Sequence, residues 1–184
     1  MGLFGFGSKK DKTPAASATD TYALNGPTGP SSTQCILVAG LRGVEMDVDL
    51  TGSGTVTMNH GPVTVTGVNA IETYLDVKGQ GAALKPKKAR HLGDQNRWIQ
   101  AANQYLDTGR KVDEVLNHMN TVLSENEFLA GPLSLADAHV AASVLSLKKS
   151  GQCPSGLSNV DTWLTRVEQK IPENLRSACM SHTS

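Results

Sequence analysis

The 184-residue chain has 17 Lys plus Arg against 17 Asp plus Glu and a formal net charge of +0, and 39% of its residues are hydrophobic. This balance argues against nucleic acid or an anionic membrane as the partner, because phosphate contacts need a local excess of Lys and Arg. The length suffices for one domain or two small ones. Three cysteines at unrelated spacings, no bilayer-length apolar run and no secretory signal predict a cytoplasmic protein with reduced thiols; an organellar location stays open.

Residues 1–20 have the composition of a disordered N-terminal tail, with glycines and lysines followed by Thr, Ala, Ser and Pro. An apolar tip ahead of lysines could contact a membrane surface or a groove on a partner. The myristoylation pattern needs Ser or Thr as the sixth residue, where this chain has Phe6, so we do not expect lipidation. The candidate interaction residues of this tail are Leu3, Phe4, Phe6, Lys9 and Lys10.

The first structured segment is predicted to be a β-α-β unit. Residues 22–24 form a short strand candidate, and Ser31 and Gln34 match an S-x-x-Q capping box that predicts a helix starting near Ser32, with Ser31 as its N-cap. Residues 44–50 alternate apolar and acidic side chains, the period of a half-buried strand. Strand, helix and strand together predict a right-handed parallel unit.

A β-hairpin and a short helix follow. Strands are predicted at 55–58 and 63–66 around a turn at Asn59-His60-Gly61, with Pro62 at the start of the second strand. The short helix has its apolar face on Ala70, Ile71, Tyr74 and Leu75, and Gly79 ends it.

Between residues 86 and 171 the hydrophobic pattern is helical throughout. The Ser134 to Asp137 segment is predicted to cap the third helix of this region, which is apolar nearly all round and should run through the middle of the bundle. Pro172 should end the fourth helix. The apolar stripes are Leu92, Ile99, Ala102 and Leu106; Val112, Val115, Leu116, Met119, Val122 and Leu123; Leu135, Ala138, Ala142 and Leu145; and Val160, Trp163, Leu164, Val167 and Ile171.

The order of these elements and several motifs resemble the glutathione S-transferase superfamily. Residues 128–131, followed by Ser134-Leu135-Ala136-Asp137, resemble the family's F-L-x-G-x-x-x-[ST]-x-A-D signature, and residues 67–75 resemble its E-S-x-A-I-x-x-Y-L segment. The resemblance runs from about residue 21 to residue 175. It implies an α/β plus all-α fold: a shortened thioredoxin-like unit at 21–80 (β-α-β-β-β-α with fewer elements), then a helical bundle at 86–180.

The chain departs from the family's pattern at each element that binds glutathione. The position of the catalytic serine corresponds to Gly29, which has no nucleophile. The cis-proline position falls on Thr57, where an ordinary trans peptide is expected. The Glu-Ser pair that binds the γ-glutamyl end falls on Gly67-Val68. Residues 51–53 are too few for the helix that normally lies there and contributes to the site and to dimer contacts.

No other residue set replaces these elements. We interpret Ser31 as an N-cap rather than a nucleophile. We interpret Cys35 as a buried structural thiol rather than a redox centre. The histidines (His60 in a turn, then His91, His118, His139 and His182) show no metal-ligand spacing. Trp98 and Trp163 read as core residues, and the basic cluster of Lys85, Lys87, Lys88 and Arg90 as a solvated linker and helix start rather than an RNA contact.

These observations predict a non-catalytic protein-interaction scaffold with no cofactor and no metal. It resembles the domains of multi-aminoacyl-tRNA-synthetase auxiliary proteins and of the elongation factor gamma subunit. This resemblance implies docking to a partner with a similar domain, with the translation machinery as one setting, and it leaves dimerisation open. Two alternatives stay open: an accessory subunit of a large complex, organellar or not, and a glutathione transferase with a relocated site.

Overall fold

The computed structural model describes residues 21–181. The tail and its candidate interaction residues, Leu3, Phe4, Phe6, Lys9 and Lys10, lie outside the described residues. No helix within residues 21–181 is long and apolar enough to cross a bilayer. In chain order the elements are β1 (Tyr22–Asn25), α1 (Pro30–Leu41), β2 (Met46–Asp49), β3 (Thr57–His60), β4 (Val63–Thr66), α2 (Val68–Lys78), α3 (Ala89–Ala101) continued by a π-helical turn (Ala102–Leu106), α4 (Val112–Val122), α5 (Leu135–Lys149), α6 (Ser158–Glu168) and α7 (Glu173–Ser181).

The strands form one mixed sheet in the order β2-β1-β3-β4. β1 and β2 are parallel and are joined by α1, as the sequence predicts, with Tyr22 opposite Met46. β3 runs antiparallel to both β1 and β4. The architecture is therefore the expected thioredoxin-like unit with fewer elements, followed by a helical bundle.

The hairpin between β3 and β4 lies two residues later on its first strand than the sequence predicts. The predicted turn at residues 59–61 is wrong: His60 ends β3, and the turn consists of Gly61 and Pro62. Gly61 has a φ of 55°, and a positive φ at the first central residue is what two-residue hairpin turns require. Pro62 therefore lies in the turn rather than in β4.

His60 has a structural role in β3. Its ring stacks on Tyr22 of β1, with ring centroids 3.9 Å apart, and its Nδ1 lies 2.8 Å from the hydroxyl oxygen of Tyr74 on α2. The stacking and the hydrogen bond fasten α2 to the sheet. This explains why His60 belongs to the strand and not to the loop.

α1 is the buried helix that connects the sheet to the bundle. All of its residues from Gln34 to Leu41 are buried, and it packs against α2, α5 and α7. At Gly40 a Cβ atom would lie 2.5 Å from the side chain of Ile171, so only glycine permits this close approach. One continuous core joins the sheet, α1 and the bundle, and the division at residues 80 and 86 stays a prediction.

Arg42, just after α1, fastens the linker between α2 and α3. The side chain is buried. Its guanidinium donates to the carbonyl oxygens of Asp76 at 2.8 Å, of Gly79 at 2.6 Å and of Gly81, and it forms an ion pair with the Asp76 carboxylate at 3.2 Å. The same carboxylate accepts the backbone N–H of Leu84 at 2.7 Å. A buried arginine needs such partners, because an unpaired buried charge is costly.

The helical bundle follows the predicted stripes. α5 is buried continuously from Ala136 to Val144, so the helix that is apolar nearly all round lies at the centre of the fold. The predicted first long helix consists of α3 and the π-helical turn that ends at Leu106.

α7 is a helix that the sequence analysis did not identify. It begins at Glu173, directly after Pro172, which is the predicted end of the fourth helix. Leu175 and Cys179 are buried and lie four residues apart, on one face of the helix. α7 packs on α1 and β2, and it closes the end of the cleft described below.

The predicted capping box at the start of α5 is present between Ser134 and Asp137, and Asp137 extends it. Its fully buried carboxylate accepts the Ser134 backbone N–H at 2.9 Å and the Ser134 hydroxyl at 3.1 Å. It also accepts the backbone N–H of Leu129 at 3.1 Å and the indole N–H of Trp163 at 2.9 Å. Burial raises the pKa of this carboxyl, and these hydrogen bonds oppose the shift. Asp137 therefore joins α5, α6 and the segment between α4 and α5.

Asp137→Ala should destabilise the protein much more than Ser134→Ala. Loss of the Ser134 hydroxyl should cost about 1 kcal/mol. Loss of the Asp137 carboxylate leaves several buried donors without an acceptor, and we expect about 3 kcal/mol or more. Chemical denaturation measures both values.

The matched control is Asp113→Ala, which removes an exposed acid from the first turn of α4. It should change the free energy of unfolding by about 0.5 kcal/mol or less. Equal midpoints for Asp137→Ala and Asp113→Ala would contradict the structural role assigned to Asp137.

Candidate functional site

The candidate site is the N-terminal end of α1, where the resemblance implies that a catalytic serine would stand. Gly29 is the N-cap residue, with φ 138° and ψ −179°, and Pro30 is the first helical residue. The predicted capping by Ser31 and Gln34 is wrong: no side chain caps α1, Ser31 is an exposed residue of the first turn, and Gln34 is buried. Pro30 explains the shift, because its fixed φ suits the first helical position and it has no N–H to be capped.

Two hydroxyl groups near Gly29, those of Ser32 and Thr33, are bonded to the backbone. Ser32 donates to the carbonyl oxygen of Pro27 at 2.6 Å, and Thr33 donates to the carbonyl oxygen of Gly29 at 3.0 Å. Each bond stabilises the turn into α1. At Gly29 itself a Cβ atom would meet nothing within 4 Å, but the φ of +138° disfavours any L side chain.

A cavity of about 100 Å³ lies beside Gly29, between the sheet and the bundle. Pockets that hold drug-sized ligands are about 300–1,000 Å³, so this cavity is smaller than is usual for such a ligand. The lining residues are Thr28, Gly29, Pro30, Thr33 and Leu50 on one side, and Ala142, Leu145, Ser146, Lys149 and Cys179 on the other. α7 contributes Cys179 and so narrows the cleft from its end.

The backbone at the start of β3 is bonded to the chain itself. The peptide bonds of the described residues are all trans, Thr57 included. Thr57 lies in β3 between β1 and β4, and the carbonyl oxygen of Val56 accepts the N–H of Gly67 at 2.9 Å. One backbone acceptor at this position is therefore bonded within the chain, to the start of α2.

Gly67 and Val68 begin α2. Gly67 is the N-cap, with a φ of 90°, and no side chain caps the helix. A Cβ atom on Gly67 would meet nothing within 4 Å, so the neighbourhood is open. The first turn of α2 has no acidic residue, and these residues offer no carboxylate or hydroxyl to anchor an amino acid moiety.

The segment from Leu50 to Val56 connects β2 to β3 without a helix, as predicted. Gly52 lies against the backbone of Gly26, where a Cβ atom would be 3.4 Å from the Gly26 carbonyl oxygen. The segment thus runs close to the loop that precedes α1.

The cysteines of the chain are free thiols. Cys35 is fully buried in α1, and burial, together with the nearby charge of Glu72, raises its pKa far above the ordinary range. Burial, with a smaller contribution from Glu168, raises the pKa of Cys179 to about 12. Cys153 is partly exposed, and partial burial raises its pKa as well. Thiolate nucleophiles need the opposite shift.

A buried polar pair that the sequence analysis missed joins α2 to α5. His139 Nε2 lies 2.8 Å from Glu72 Oε2, and the side chains are 4% and 5% exposed. One turn further along α5, the Ser143 hydroxyl donates to the Asp107 carboxylate at 2.6 Å. The available signal was a histidine on a largely apolar helix, which also buries Asp137 and Ser143; its partner is distant in sequence. The pair is enclosed, so it holds the two parts of the fold together rather than facing a ligand.

The remaining candidate residues have structural positions. Trp163 is buried and Trp98 nearly so, and Trp98 stacks on His118 with ring centroids 5.6 Å apart. Lys85, Lys87, Lys88 and Arg90 are exposed at the linker and the start of α3. Among the described residues no three His, Cys, Asp or Glu side chains are placed to hold a metal ion. His182 lies outside that range.

No family model matches the sequence, and no curated protein matches it either. Solved structures do match its fold. FzlA from C. crescentus superposes with a TM-score of 0.72 at 13% identity, over 88% of this chain and 92% of that one.

Glutathione transferases match over similar lengths. A delta-class glutathione transferase from Nilaparvata lugens has a TM-score of 0.67 at 20% identity, over 88% of this chain and 98% of that one. A theta-class glutathione S-transferase from Xanthomonas axonopodis pv. citri with glutathione bound has a TM-score of 0.63 at 15% identity, over 87% and 96%. The chain therefore has the glutathione S-transferase fold, as the sequence motifs imply.

Thiol accessibility should follow burial. Cys153 should react with a chromogenic aromatic disulfide in the native protein, whereas Cys35 and Cys179 should react only after denaturation, because they are buried and their raised pKa values keep them protonated. Mass spectrometry of the modified peptides identifies the sites. Rapid native modification of Cys35 would contradict the burial of α1 and would reopen a redox role.

Proposed function

We propose that this chain is a non-catalytic interaction protein built on the glutathione S-transferase fold, which docks a protein partner of similar fold. The observation that carries the proposal is the hydrogen bond from the Gly67 N–H to the Val56 carbonyl oxygen, which ties the backbone at the expected cysteinyl-binding position to the start of α2. Gly29 supports it by offering no hydroxyl. Assemblies of the translation machinery, which the sequence resemblance points to, are the first setting in which to look for the partner.

The energetics support loss of glutathione binding. A hydrogen bond to a charged group contributes about 1.5–3 kcal/mol. Without the bonds from a cysteinyl-binding backbone and from a γ-glutamyl anchor, affinity falls by several orders of magnitude, since each 1.4 kcal/mol is about tenfold. The cavity beside Gly29, of about 100 Å³, is also smaller than a usual ligand pocket. What the fold retains is a rigid, well-packed body, which suits docking.

A glutathione transferase with a relocated site is the second candidate. The observations that favour it are the cleft beside Gly29, whose far wall carries Ser146 and Lys149, and the glutathione transferases among the structures of similar fold. The candidates differ in one measurable property, which is affinity for glutathione.

An accessory subunit of a larger assembly is the third candidate, and it rests on the tail. The apolar residues Leu3, Phe4 and Phe6 ahead of Lys9 and Lys10 suit insertion into a groove of a neighbouring subunit. The three free thiols fit a reducing compartment such as the cytoplasm.

The protein should not bind glutathione. Isothermal titration calorimetry of the full chain with glutathione should show no heat of binding in the micromolar range, because the binding groups are absent or engaged. Gly29→Ser should not restore binding or conjugation, since a hydroxyl at that position leaves the backbone at Val56 and the anchor at Gly67 unchanged.

The control for this titration is a glutathione transferase of known affinity under the same conditions. Gly29→Ala provides the matched control for backbone strain, because both variants place a Cβ on a residue with φ +138°. Micromolar affinity of the unmodified chain for glutathione would contradict the proposal and would support the glutathione transferase candidate.

Removal of residues 1–20 should leave the thermal midpoint unchanged within error and should abolish at least one interaction. The described core, from Tyr22 onward, contains the sheet and the bundle, so we expect the chain to fold without the tail. Pull-downs with the full and shortened chains, together with vesicle flotation, measure the interaction.

Replacement of Phe4 and Phe6 by Ser, with Lys9 and Lys10 kept, is the matched variant that separates apolar insertion from charge attraction. A large fall in the thermal midpoint after truncation would show that the tail packs on the folded core. Identical interactions of both chains would remove the tail from the proposal.

A further inference from the structure

The two edges of the sheet differ in charge. β2 forms one edge, and the acids Glu45, Asp47 and Asp49 are exposed along it. β4 forms the other, and no Asp, Glu, Lys or Arg occurs from Leu50 to Ile71. Proteins commonly protect an edge with charge, because an unprotected edge pairs with other strands. Two copies brought together through β2 would oppose acid to acid, whereas two copies brought together through β4 meet no repulsion.

The hydrogen-bond phase of the hairpin shows which backbone groups of β4 point outward. In an antiparallel ladder, hydrogen-bonded pairs alternate with non-bonded pairs. Gly67 donates to Val56, so these two residues are a hydrogen-bonded pair. The pairs two and four residues further along the hairpin, Val65 with Met58 and Val63 with His60, are then also hydrogen-bonded between β4 and β3. Thr64 and Thr66 are the non-bonded positions. Their N–H and C=O groups therefore point away from β3, and both residues are exposed.

We infer that β4 is a docking edge for a second copy of this chain, which pairs antiparallel to it about a twofold axis at Val65. In this register Thr64 of one copy faces Thr66 of the other on both sides of the axis. The outward N–H of each threonine donates to the outward carbonyl oxygen of its partner, so each of these groups has a hydrogen bond. If the axis lay one residue earlier, at Thr64, Pro62, which has no N–H, would face Thr66. If it lay one residue later, at Thr66, the start of α2 would face Thr64. Self-complementary pairing of this kind is what a twofold dimer requires.

The side chains fit the same register. Val65 lies opposite Val65 of the second copy, a β-branched cross-strand pair. Val63, which is 42% exposed, lies opposite Gly67, where a Cβ atom would meet nothing within 4 Å. Pairing therefore covers one of the exposed large apolar side chains without a clash. β4 is only four residues long, so the contact is small, and a weak, concentration-dependent dimer is expected.

This inference deepens the proposed interaction role by naming a partner of similar fold, and it rests on that role. The two proposals are tested by different measurements. Glutathione binding tests the proposed absence of catalysis, and the oligomeric state tests pairing through β4. Sedimentation equilibrium of the full chain should show a monomer–dimer equilibrium. A monomer at every concentration studied would overturn the inference and leave the glutathione result unaffected.

Charge variants test the register. The double variant Thr64→Lys/Thr66→Lys and the double variant Thr64→Glu/Thr66→Glu should each weaken dimerisation by about tenfold or more, because like charges then face each other. An equimolar mixture should restore association, since the lysines of one variant face the glutamates of the other. Thr55→Lys, an exposed threonine before β3, is the control and should leave dimerisation unchanged. A dimer that neither double variant weakens, or a mixture that does not associate, would overturn the inference.

Hydrogen exchange tests the edge without substitution, and so also applies if a double variant fails to fold. The amides of Thr64 and Thr66 should exchange more slowly as the protein concentration rises, whereas an exposed loop amide such as that of Gly54 should not change. Rapid exchange at both threonines, independent of concentration, would overturn the inference.

Discussion

The Asp137 carboxylate is the interaction on which the arrangement of the bundle depends. It accepts hydrogen bonds from the start of α5, from the segment before it at Leu129 and from Trp163 of α6. A fully buried carboxylate without a cation is tolerable only with such a set of donors. α5, fixed in this way, lies through the centre of the fold and supports α1. The position of Gly29 at the start of α1 therefore depends on a group in the helical bundle.

The region beside Gly29 lies where the sequence resemblance implies a binding site. α1 and α5 place a cleft between the sheet and the bundle, with a cavity of about 100 Å³. The carbonyl oxygen of Val56 is bonded to the Gly67 N–H, and no side chain caps α2. The buried pair of Glu72 and His139 adds a fixed contact between α2 and α5. These contacts support the proposal of a docking body, since a catalyst must admit and release substrate.

Much of this fold could be predicted from sequence, because its signals are local. The capping box at Ser134 and the apolar stripes depend on spacing within one helix. The predictions that proved wrong depended on a local signal that has two structural interpretations. Ser31 matched a capping box, yet the helix starts at Pro30, two residues before the predicted start near Ser32. Pro172 can end a helix and can also precede one. The pair of Glu72 and His139 was missed because its members are 67 residues apart, and no local pattern records such a contact.

Amide hydrogen exchange of Gly67, resolved by NMR spectroscopy with and without millimolar glutathione, tests the central claim most directly. If the Gly67 N–H is bonded to Val56 within the sheet, it exchanges slowly, and glutathione changes neither its exchange rate nor its chemical shift. Rapid exchange of Gly67 in the free protein, or a shift of its resonance on addition of glutathione, would show that this backbone is open to the ligand and would contradict the account.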